Sequence, residues 1–304
     1  MSYYTLLNLE REPFSNSPDP GFFFQSTGHR RCLREVELAV LQRRGLVIVL
    51  GEVGTGKTTV CRQLIRRLAE AEPGAVEVCL VLDPDFVSAR DFLVAVCGIL
   101  GLPAPGEEVS ERAIKEGIKG HLFRVGVEQG RTVALLFDEG QKLAGFCLEI
   151  LRELLNYETN EHKLLQIVIF AQPELLAVVR ERESFADRVA VLIRLGPLSL
   201  AETRRMIRFR LEQAGAAGRG LALFSWPALL AIHLTTGGYP RRIVMLASRI
   251  LMAIIVGNRR RAGAWLVLRC ARQQAGRALA RPFAAWILLG LLAVRLGGGV
   301  WLVG

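Results

Sequence analysis

The chain has 304 residues, 51% of them hydrophobic, and a formal net charge of +10. That length favours two domains, and the apolar fraction is ample for a core and slightly high for a purely soluble protein. The first 15 residues contain no basic stretch followed by an apolar run, so we expect no signal peptide and a cytoplasmic location for this part. Six scattered cysteines without a CxxC pair argue against a zinc site or disulfide framework and favour reduced, mostly buried thiols.

The positive charge is concentrated in the C-terminal part of the chain. Residues 201–281 contain 15 Arg against two acids, Glu202 and Glu212, for a net charge of +13. Residues 1–200 carry a net charge of −4. A basic half suggests nucleic acid or an anionic membrane surface as a partner, and a solvated basic face without a partner is the alternative.

Residues 1–34 are too apolar for a disordered tail, and we expect the N-terminal segment 1–44 to pack on the domain that follows. Three phenylalanines at 22–24 follow a turn-rich stretch and are either packing residues or a wall of an adenine pocket. A helix is predicted over about 29–43, and the apolar run at 46–50 predicts the first strand.

A glycine-rich stretch follows that strand and precedes a helical pattern over 59–69. It reads Gly51-Glu52-Val53-Gly54-Thr55-Gly56-Lys57-Thr58, with Thr59 next. Strand, glycine loop and helix form the context of a phosphate-binding P-loop, where backbone N–H groups and the helix N-terminus point at phosphates. We expect residues 51–59 to bind ATP, with the Lys57 ammonium near the β- and γ-phosphates and the Thr58 hydroxyl on Mg²⁺.

Apolar strands alternate with helical patterns over the next part of the chain. Strands are predicted over 76–82, 133–137, 164–170 and 189–195, with helices around 92–100, 109–128 and 148–155 between them. This alternation predicts an α/β fold with a five-stranded parallel sheet that is covered by helices on both faces.

Asp138 and Glu139 close the apolar strand at 133–137, which places them at the carboxyl edge of the sheet beside the glycine loop. We expect Asp138 to help hold Mg²⁺ and Glu139 to be the base that orients and polarises the attacking water. An acidic pair that merely ends a strand is the alternative.

Three further residues are candidates for contact with the nucleotide. Gln172 follows the fourth strand and either touches the γ-phosphate or the water, or only serves the turn. Arg188 precedes the fifth strand, where a guanidinium could reach the γ-phosphate of a neighbouring subunit, with Arg180 and Arg182 as competitors. Arg241 lies in the first turn of a helix and could equally be an exposed arginine with no role.

Gly196-Pro197 is the expected boundary to a small helical domain. A capping box at 199–202 opens helices predicted over 199–213, 227–235, 239–256 and 262–275. The last stretch, 283–304, carries one charge, Arg295, and is long enough to span a bilayer. Basic residues before it would keep that side cytoplasmic, and an interfacial anchor or a buried tail is the alternative. The expected divisions are 1–44, the ATPase domain 45–197, the lid 198–276 and the linker with transmembrane helix 277–304. The histidines at 29, 162 and 233 look isolated and receive no ligand role.

Taken together, these motifs resemble the AAA-type ATPases of the general secretion pathway protein A (ExeA) family. The matching stretches keep their order and spacing over about 1–275: Pro13-Phe14, Pro18-Asp19-Pro20, Gly51 to Thr59, Asp138-Glu139-Gly140-Gln141, Lys163 to Val168, Gln172-Pro173-Glu174-Leu175, Pro197-Leu198-Ser199 and Gly237-Gly238-Tyr239-Pro240-Arg241. The resemblance implies that Gln172 is the first sensor, Arg188 the inter-subunit arginine and Arg241 the second sensor. The family usually has Ala where this chain has Gly140, a change that we expect to leave hydrolysis unaffected.

The resemblance also implies ATP hydrolysis, assembly into a ring or dimer, and a single span that holds the protein on the cytoplasmic face of the bacterial inner membrane. The implied partners are inner-membrane components of a secretion or pilus-like complex. In the secretion members a periplasmic peptidoglycan-binding domain follows the span. This chain ends at Gly304, so either it is truncated or it belongs to a relative that lacks the domain, which puts a cell-wall role in doubt and leaves the ATPase role intact. A DNA-binding ATPase of the transposition-helper kind shares this architecture and fits the +13 segment, although no helix-turn-helix or zinc motif is evident. A nucleotide-gated scaffold with an inert Glu139 is a third possibility.

Overall fold

The structure, a computed structural model, describes residues 3–15, 20–71, 74–160, 162–216 and 220–274. The stretch 283–304, which we expect to cross a membrane, lies outside these residues, as does part of the turn-rich stretch before the phenylalanines. Among the helices in the described ranges, none combines the length and the apolar character that a bilayer span needs.

A five-stranded parallel sheet forms the centre of the chain, with the strand order β2-β3-β4-β1-β5. The strands are β1 (Leu46–Gly51), β2 (Val76–Val81), β3 (Thr132–Phe137), β4 (Leu165–Ala171) and β5 (Val189–Leu195). The predicted five-stranded parallel sheet is therefore confirmed. Since β4 pairs with both β1 and β3, it lies between the strand that enters the glycine loop and the strand that ends at the acidic pair.

Helices cover both faces of the sheet because alternate residues of its strands are buried on opposite sides. On one face, Leu46, Ile48 and Leu50 belong to a buried cluster with helices of the central part of the chain, while Val47 and Val49 belong to a second cluster on the other face. The first face is covered by α3 (Ala89–Ile99), α4 (Glu111–Phe123), α5 (Gly145–Leu154), α6 (Leu175–Arg180) and α7 (Glu183–Ala186). The second is covered by α1 (Thr27–Leu41) and α2 (Lys57–Ala71).

A separate hydrophobic cluster holds the C-terminal helices together as a lid. Its helices are α8 (Leu200–Gln213), α9 (Trp226–Thr236), α10 (Pro240–Val256) and α11 (Ala264–Gln274). The predicted capping box is present, because the Ser199 hydroxyl accepts from the Glu202 N–H and the Glu202 carboxylate accepts from the Ser199 N–H. Helix α8 thus begins where the capping box in the sequence predicts it.

The N-terminal segment differs from the expectation that residues 1–44 pack on the ATPase core. Helix α1 does pack on the sheet, but Leu9, Phe14 and Phe22 are buried in the cluster of the lid helices. Arg210 of α8 reinforces this contact, since its Nε donates to the Pro13 carbonyl over 2.7 Å. The reason is that the lid helices present an apolar surface that the sheet does not cover, and these side chains fill it.

Candidate active site

The loop between β1 and α2 is closed tightly, and its glycines make that closure possible. Gly54 and Gly56 have φ values of +85° and +99°, in the left-handed region that favours glycine. A Cβ on Gly51 would lie 2.6 Å from the Thr55 hydroxyl, which itself donates to the Glu52 carbonyl over 2.9 Å. The loop therefore has the curled backbone that a phosphate-binding loop requires.

Lys57 lies at the centre of this loop with its ammonium buried. Its Nζ donates to the Gly51 carbonyl over 2.7 Å and to the Glu52 carbonyl over 3.3 Å. Burial lowers the pKa of Lys57, and the carboxylates of Glu139 and Asp138 oppose that shift. The lysine of the glycine loop and the acidic pair after β3 are therefore close enough to interact electrostatically.

Asp138 is the most buried carboxylate of the site, with 3% of its surface exposed. Burial raises its pKa, while a hydrogen bond from the Thr58 hydroxyl and another from the Glu139 N–H oppose that shift. A threonine hydroxyl and a carboxylate are oxygen donors of the kind that Mg²⁺ accepts together with phosphate and water oxygens. Mg²⁺ held here would take its remaining ligands from phosphate and water oxygens. The described residues contain no group of three or more His, Cys, Asp and Glu that could hold a metal ion.

Glu139 has an unusual backbone and a fixed side chain. Its φ of +53° lies in the left-handed region, and its carboxylate accepts a hydrogen bond from Gln141 Nε2 over 2.6 Å. Gln141 Oε1 accepts in turn from the backbone N–H of Gln172 over 3.0 Å. Sequence reasoning placed Gln141 in the motif but gave it no role, because nothing local shows that its side chain turns back.

Gly140 lies close to β4, in a place where a side chain has no room. A Cβ on Gly140 would lie 2.3 Å from Ile169 Cγ2 and 3.3 Å from the Phe170 carbonyl oxygen. Isoleucine is branched at Cβ and has little freedom to move aside. The glycine therefore lets the turn lie closer to β4 than an alanine could without a shift of the backbone.

His29 is a residue of the site that the sequence analysis missed. Its Nε2 lies 2.7 Å from the Thr55 carbonyl oxygen, inside the glycine loop. The Ser26 N–H donates to Nδ1, which assigns the proton to Nε2 and makes His29 the donor to the loop. Burial lowers the pKa of His29, which favours this neutral form. The prediction of an isolated histidine is wrong, and only its position at the third residue of α1, behind the loop, could have suggested a role.

The other two histidines have structural partners. His162 contacts the Arg43 guanidinium, and His233 Nδ1 lies 3.0 Å from the Thr203 hydroxyl. Neither lies among the residues of the glycine loop or the acidic pair.

The lid touches the glycine loop directly. The Arg241 N–H donates to the Gly54 carbonyl over 3.2 Å, and a Cβ on Gly54 would lie 2.9 Å from Arg241 Cβ. A second link runs through α1, where the Thr27 N–H donates to Glu202 of α8 over 2.9 Å. The Arg241 side chain is exposed beside this contact.

Arg188 lies at the amino ends of the parallel strands, whereas the glycine loop of its own chain lies at their carboxyl ends. It precedes β5, whose register pairs Val189 with Leu46 and Leu195 with Gly51. Val189, the neighbour of Arg188, therefore lies five residue steps along β1 from the start of the loop, or about 16 Å. Arg188 is exposed, whereas its competitor Arg182 donates to the Val178 carbonyl and is partly buried. The Arg188 side chain is therefore remote from the glycine loop of its own chain.

A broad concavity of about 830 Å³ lies at the same amino edge, away from the glycine loop. Its polar groups already have partners, since Arg43 donates to Thr132 and to the Gly130 carbonyl, and Lys163 forms an ion pair with Glu158. We assign no chemistry to this concavity.

Comparison with known proteins agrees with the geometry. The AAA domain family matches residues 40–179. The chain is 35% identical over 253 residues to general secretion pathway protein A of Aeromonas hydrophila. The aligned region covers 83% of this chain and 44% of that protein. The chain therefore spans less than half the length of this relative.

Solved structures show the same fold at low sequence identity. The Aeropyrum pernix ORC2 protein, in ADPNP-ADP complexes, is 17% identical with a TM-score of 0.61, over 95% of this chain and 79% of that chain. Drosophila ORC bound to DNA is 20% identical with a TM-score of 0.61, over 97% and 74% of the two chains. The Thermotoga maritima RuvB branch migration motor is 15% identical with a TM-score of 0.51, over 83% and 72%. The chain therefore belongs to the AAA-type ATPase family that includes general secretion pathway protein A.

Proposed function

We propose that this chain binds ATP with Mg²⁺ and hydrolyses it to ADP and phosphate. The observation that carries the proposal is the arrangement of three groups at one edge of the sheet. The Lys57 ammonium, the Thr58 hydroxyl and the acidic pair after β3 interact with one another across β4. Such an arrangement supports phosphoryl transfer, in which catalysis depends on positioning and on stabilising charge.

Each residue has a distinct task in the proposed reaction. Lys57 and the loop N–H groups hold the phosphates and stabilise the charge that develops on them. Thr58 and Asp138 would hold Mg²⁺, which neutralises phosphate charge when it is bound. Glu139 orients the attacking water and accepts its proton.

Three further roles follow from position. Gln172 stands at the end of β4, between the glycine loop and the acidic pair, where it could contact the γ-phosphate or the water. The Arg241 side chain would contact the nucleotide and so connect the lid to it. Arg188 would act on the site of a neighbouring copy, which requires a homo-oligomer, either a ring or a dimer.

We further propose that the ATPase is tethered to the cytoplasmic face of the inner membrane by residues 283–304 and energises or regulates a secretion or pilus-like envelope complex. Support for the tether comes from the apolar composition of that stretch, and support for the complex comes from the name of the relative in Aeromonas. Residues 45–197 would be the ATPase domain and 198–276 the lid. Fractionation of the full chain beside a chain ending at 276 tests the tether, and full-length protein found wholly in the soluble fraction would contradict it.

A DNA-binding ATPase is the second candidate, because the described lid carries many exposed arginines. Those on helices α8, α10 and α11 and on the loop before α11 are Arg204, Arg205, Arg208, Arg241, Arg242, Arg249, Arg259, Arg260, Arg261, Arg269 and Arg272. Binding to the DNA backbone would fall steeply with salt. A gel-shift with ATP at low and high salt tests it, and no shift at low salt would remove this candidate.

Hydrolysis itself is tested by Glu139→Gln, which keeps the shape of the side chain but removes the base. We expect phosphate release to fall by about 10²–10⁴-fold, the usual range for a general base, while ATP still binds. Glu149→Gln on α5 is the matched control and should leave the rate unchanged. Equal rates in wild type and Glu139→Gln would show that the base lies elsewhere.

A further inference from the structure

The turn after β3 is built to bring a side chain back onto the proposed base. Glu139 takes φ +53° and ψ +35°, a conformation that residues other than glycine seldom adopt. A short 3₁₀ turn at Gly140–Lys142 follows at once. This reversal carries the side chain of Gln141 to the carboxylate of the residue two positions before it.

Both polar atoms of the Gln141 side-chain amide form hydrogen bonds. Its Nε2 donates to the Glu139 carboxylate over 2.6 Å, and its Oε1 accepts from the Gln172 N–H over 3.0 Å. Rotating the amide by 180° would place an acceptor against the carboxylate and a donor against the N–H. Only one orientation satisfies both neighbours, so the amide cannot turn without losing both hydrogen bonds.

The contact with Gln172 ties the turn to the end of β4. The absence of a side chain on Gly140 permits it, because a Cβ there would lie 2.3 Å from Ile169 Cγ2 on β4. The turn therefore rests on the strand that separates the acidic pair from the glycine loop. The position of the Glu139 carboxylate is thus set by the sheet and not by the turn alone.

The held carboxylate lies at the same end of the sheet as the phosphate site. The glycine loop follows the carboxyl end of β1 and Glu139 follows the carboxyl end of β3, and both strands run parallel to β4 between them. The ammonium of Lys57 is in turn buried against the glycine loop. The Gln141 hydrogen bond consequently fixes the base on the side where the terminal phosphates would lie.

We infer that Gln141 is a positioning residue for ATP hydrolysis, which holds the Glu139 carboxylate toward the attacking water by bridging it to the backbone of Gln172. The inference rests on the proposed function. An oriented base raises the rate of the chemical step and has little effect on ATP binding. The effect should therefore fall on kcat rather than on KM.

Gln141→Ala tests the inference. We expect kcat for phosphate release to fall about tenfold, while KM for ATP and the affinity for ATP change less than about twofold. Gln129→Ala is the matched control, because Gln129 is an exposed glutamine just before β3, at the other edge of the sheet. It should behave as wild type.

Gln141→Glu adds a readout that a merely structural role would not give. Its side chain has the same shape, but when ionised it cannot donate to Glu139 and repels it. Its kcat should therefore fall at least as far as that of Gln141→Ala, while its KM for ATP stays within about twofold of wild type.

Two outcomes would overturn the inference. An active wild type with an unchanged or faster Gln141→Ala would overturn this role alone and leave the proposed ATPase intact. A wild type that binds ATP but releases no phosphate would overturn the proposed function, and this inference with it.

Discussion

At the scale of a single residue, the buried charge of Asp138 lowers the stability of the folded protein. Its carboxylate is almost fully buried, and burial raises its pKa despite hydrogen bonds from Thr58 and from the Glu139 N–H. A buried charge that is only partly compensated destabilises the folded state. The residue is better explained by a task in the liganded protein than by any contribution to folding.

Replacing Asp138 by Asn should therefore stabilise the protein in the absence of nucleotide. The amide has the same shape and still accepts from the Glu139 N–H, but it carries no buried charge. A relief of about 1 kcal/mol would raise the midpoint of thermal unfolding by about 2–4 °C in a chain of this size. Thermal scans without nucleotide measure it, with exposed Asp85→Asn as the control. A lower midpoint for Asp138→Asn would contradict this explanation.

Helix α1 links the glycine loop to the lid, which is an effect at the scale of an element. One residue near its start, His29, donates to the Thr55 carbonyl, and another, Thr27, donates to Glu202 of α8. The helix was predicted from its apolar spacing, but these contacts were not, because the partners lie 26 and 175 residues away along the chain. Periodicity shows that a helix exists and does not show what its first turn touches.

His29→Ala should loosen the glycine loop. The Thr55 carbonyl would lose its donor, and a buried acceptor without a partner costs about 1–3 kcal/mol. We expect ATP affinity to fall about fivefold or more in equilibrium titrations at neutral pH. His233→Ala, which also removes a histidine hydrogen bond, should bind ATP as wild type does. An unchanged affinity for His29→Ala would show that the loop does not depend on α1.

The stability that His29 contributes to the folded protein should depend on pH. Burial lowers the pKa of His29, so the unfolded chain binds a proton more readily than the folded one. The stability that neutral His29 contributes is therefore complete at pH values above its pKa in the unfolded chain, about 6.5. It is lost as the pH falls toward the lower pKa that His29 has in the folded protein. The difference in stability between wild type and His29→Ala should narrow over that range in unfolding titrations.

The whole molecule places the glycine loop at the junction of the sheet and the lid. Arg241 of the lid and His29 of α1 both bond to the loop backbone, while Leu9 and Phe14 bury the N-terminal segment against the lid. The loop backbone is therefore held by the C-terminal helices on one side and by α1 on the other.

The sequence predicted the parts of this arrangement that are continuous along the chain. The glycine loop, the strands and the Asp138-Glu139 pair were found because each is a local pattern with a known context. The packing of Leu9 on the lid and the bridge from Gln141 to Gln172 could not be predicted, since they depend on how distant segments approach. The short helices α6 and α7, of six and four residues, were missed because they are too short to show periodicity.

The most direct test of the account is an equilibrium titration of ATP with Mg²⁺ into wild type, Lys57→Ala and Asp138→Asn. Lys115→Ala is the control, because that lysine pairs with Glu153 on the helices that cover one face of the sheet. If the terminal phosphates are held between the glycine loop and the acidic pair, wild type and Lys115→Ala bind alike. Lys57→Ala and Asp138→Asn should each bind about tenfold or more weakly, a difference of about 1.4 kcal/mol or more. Equal affinity in all four proteins would contradict the account, because neither group would then contact the nucleotide or its metal.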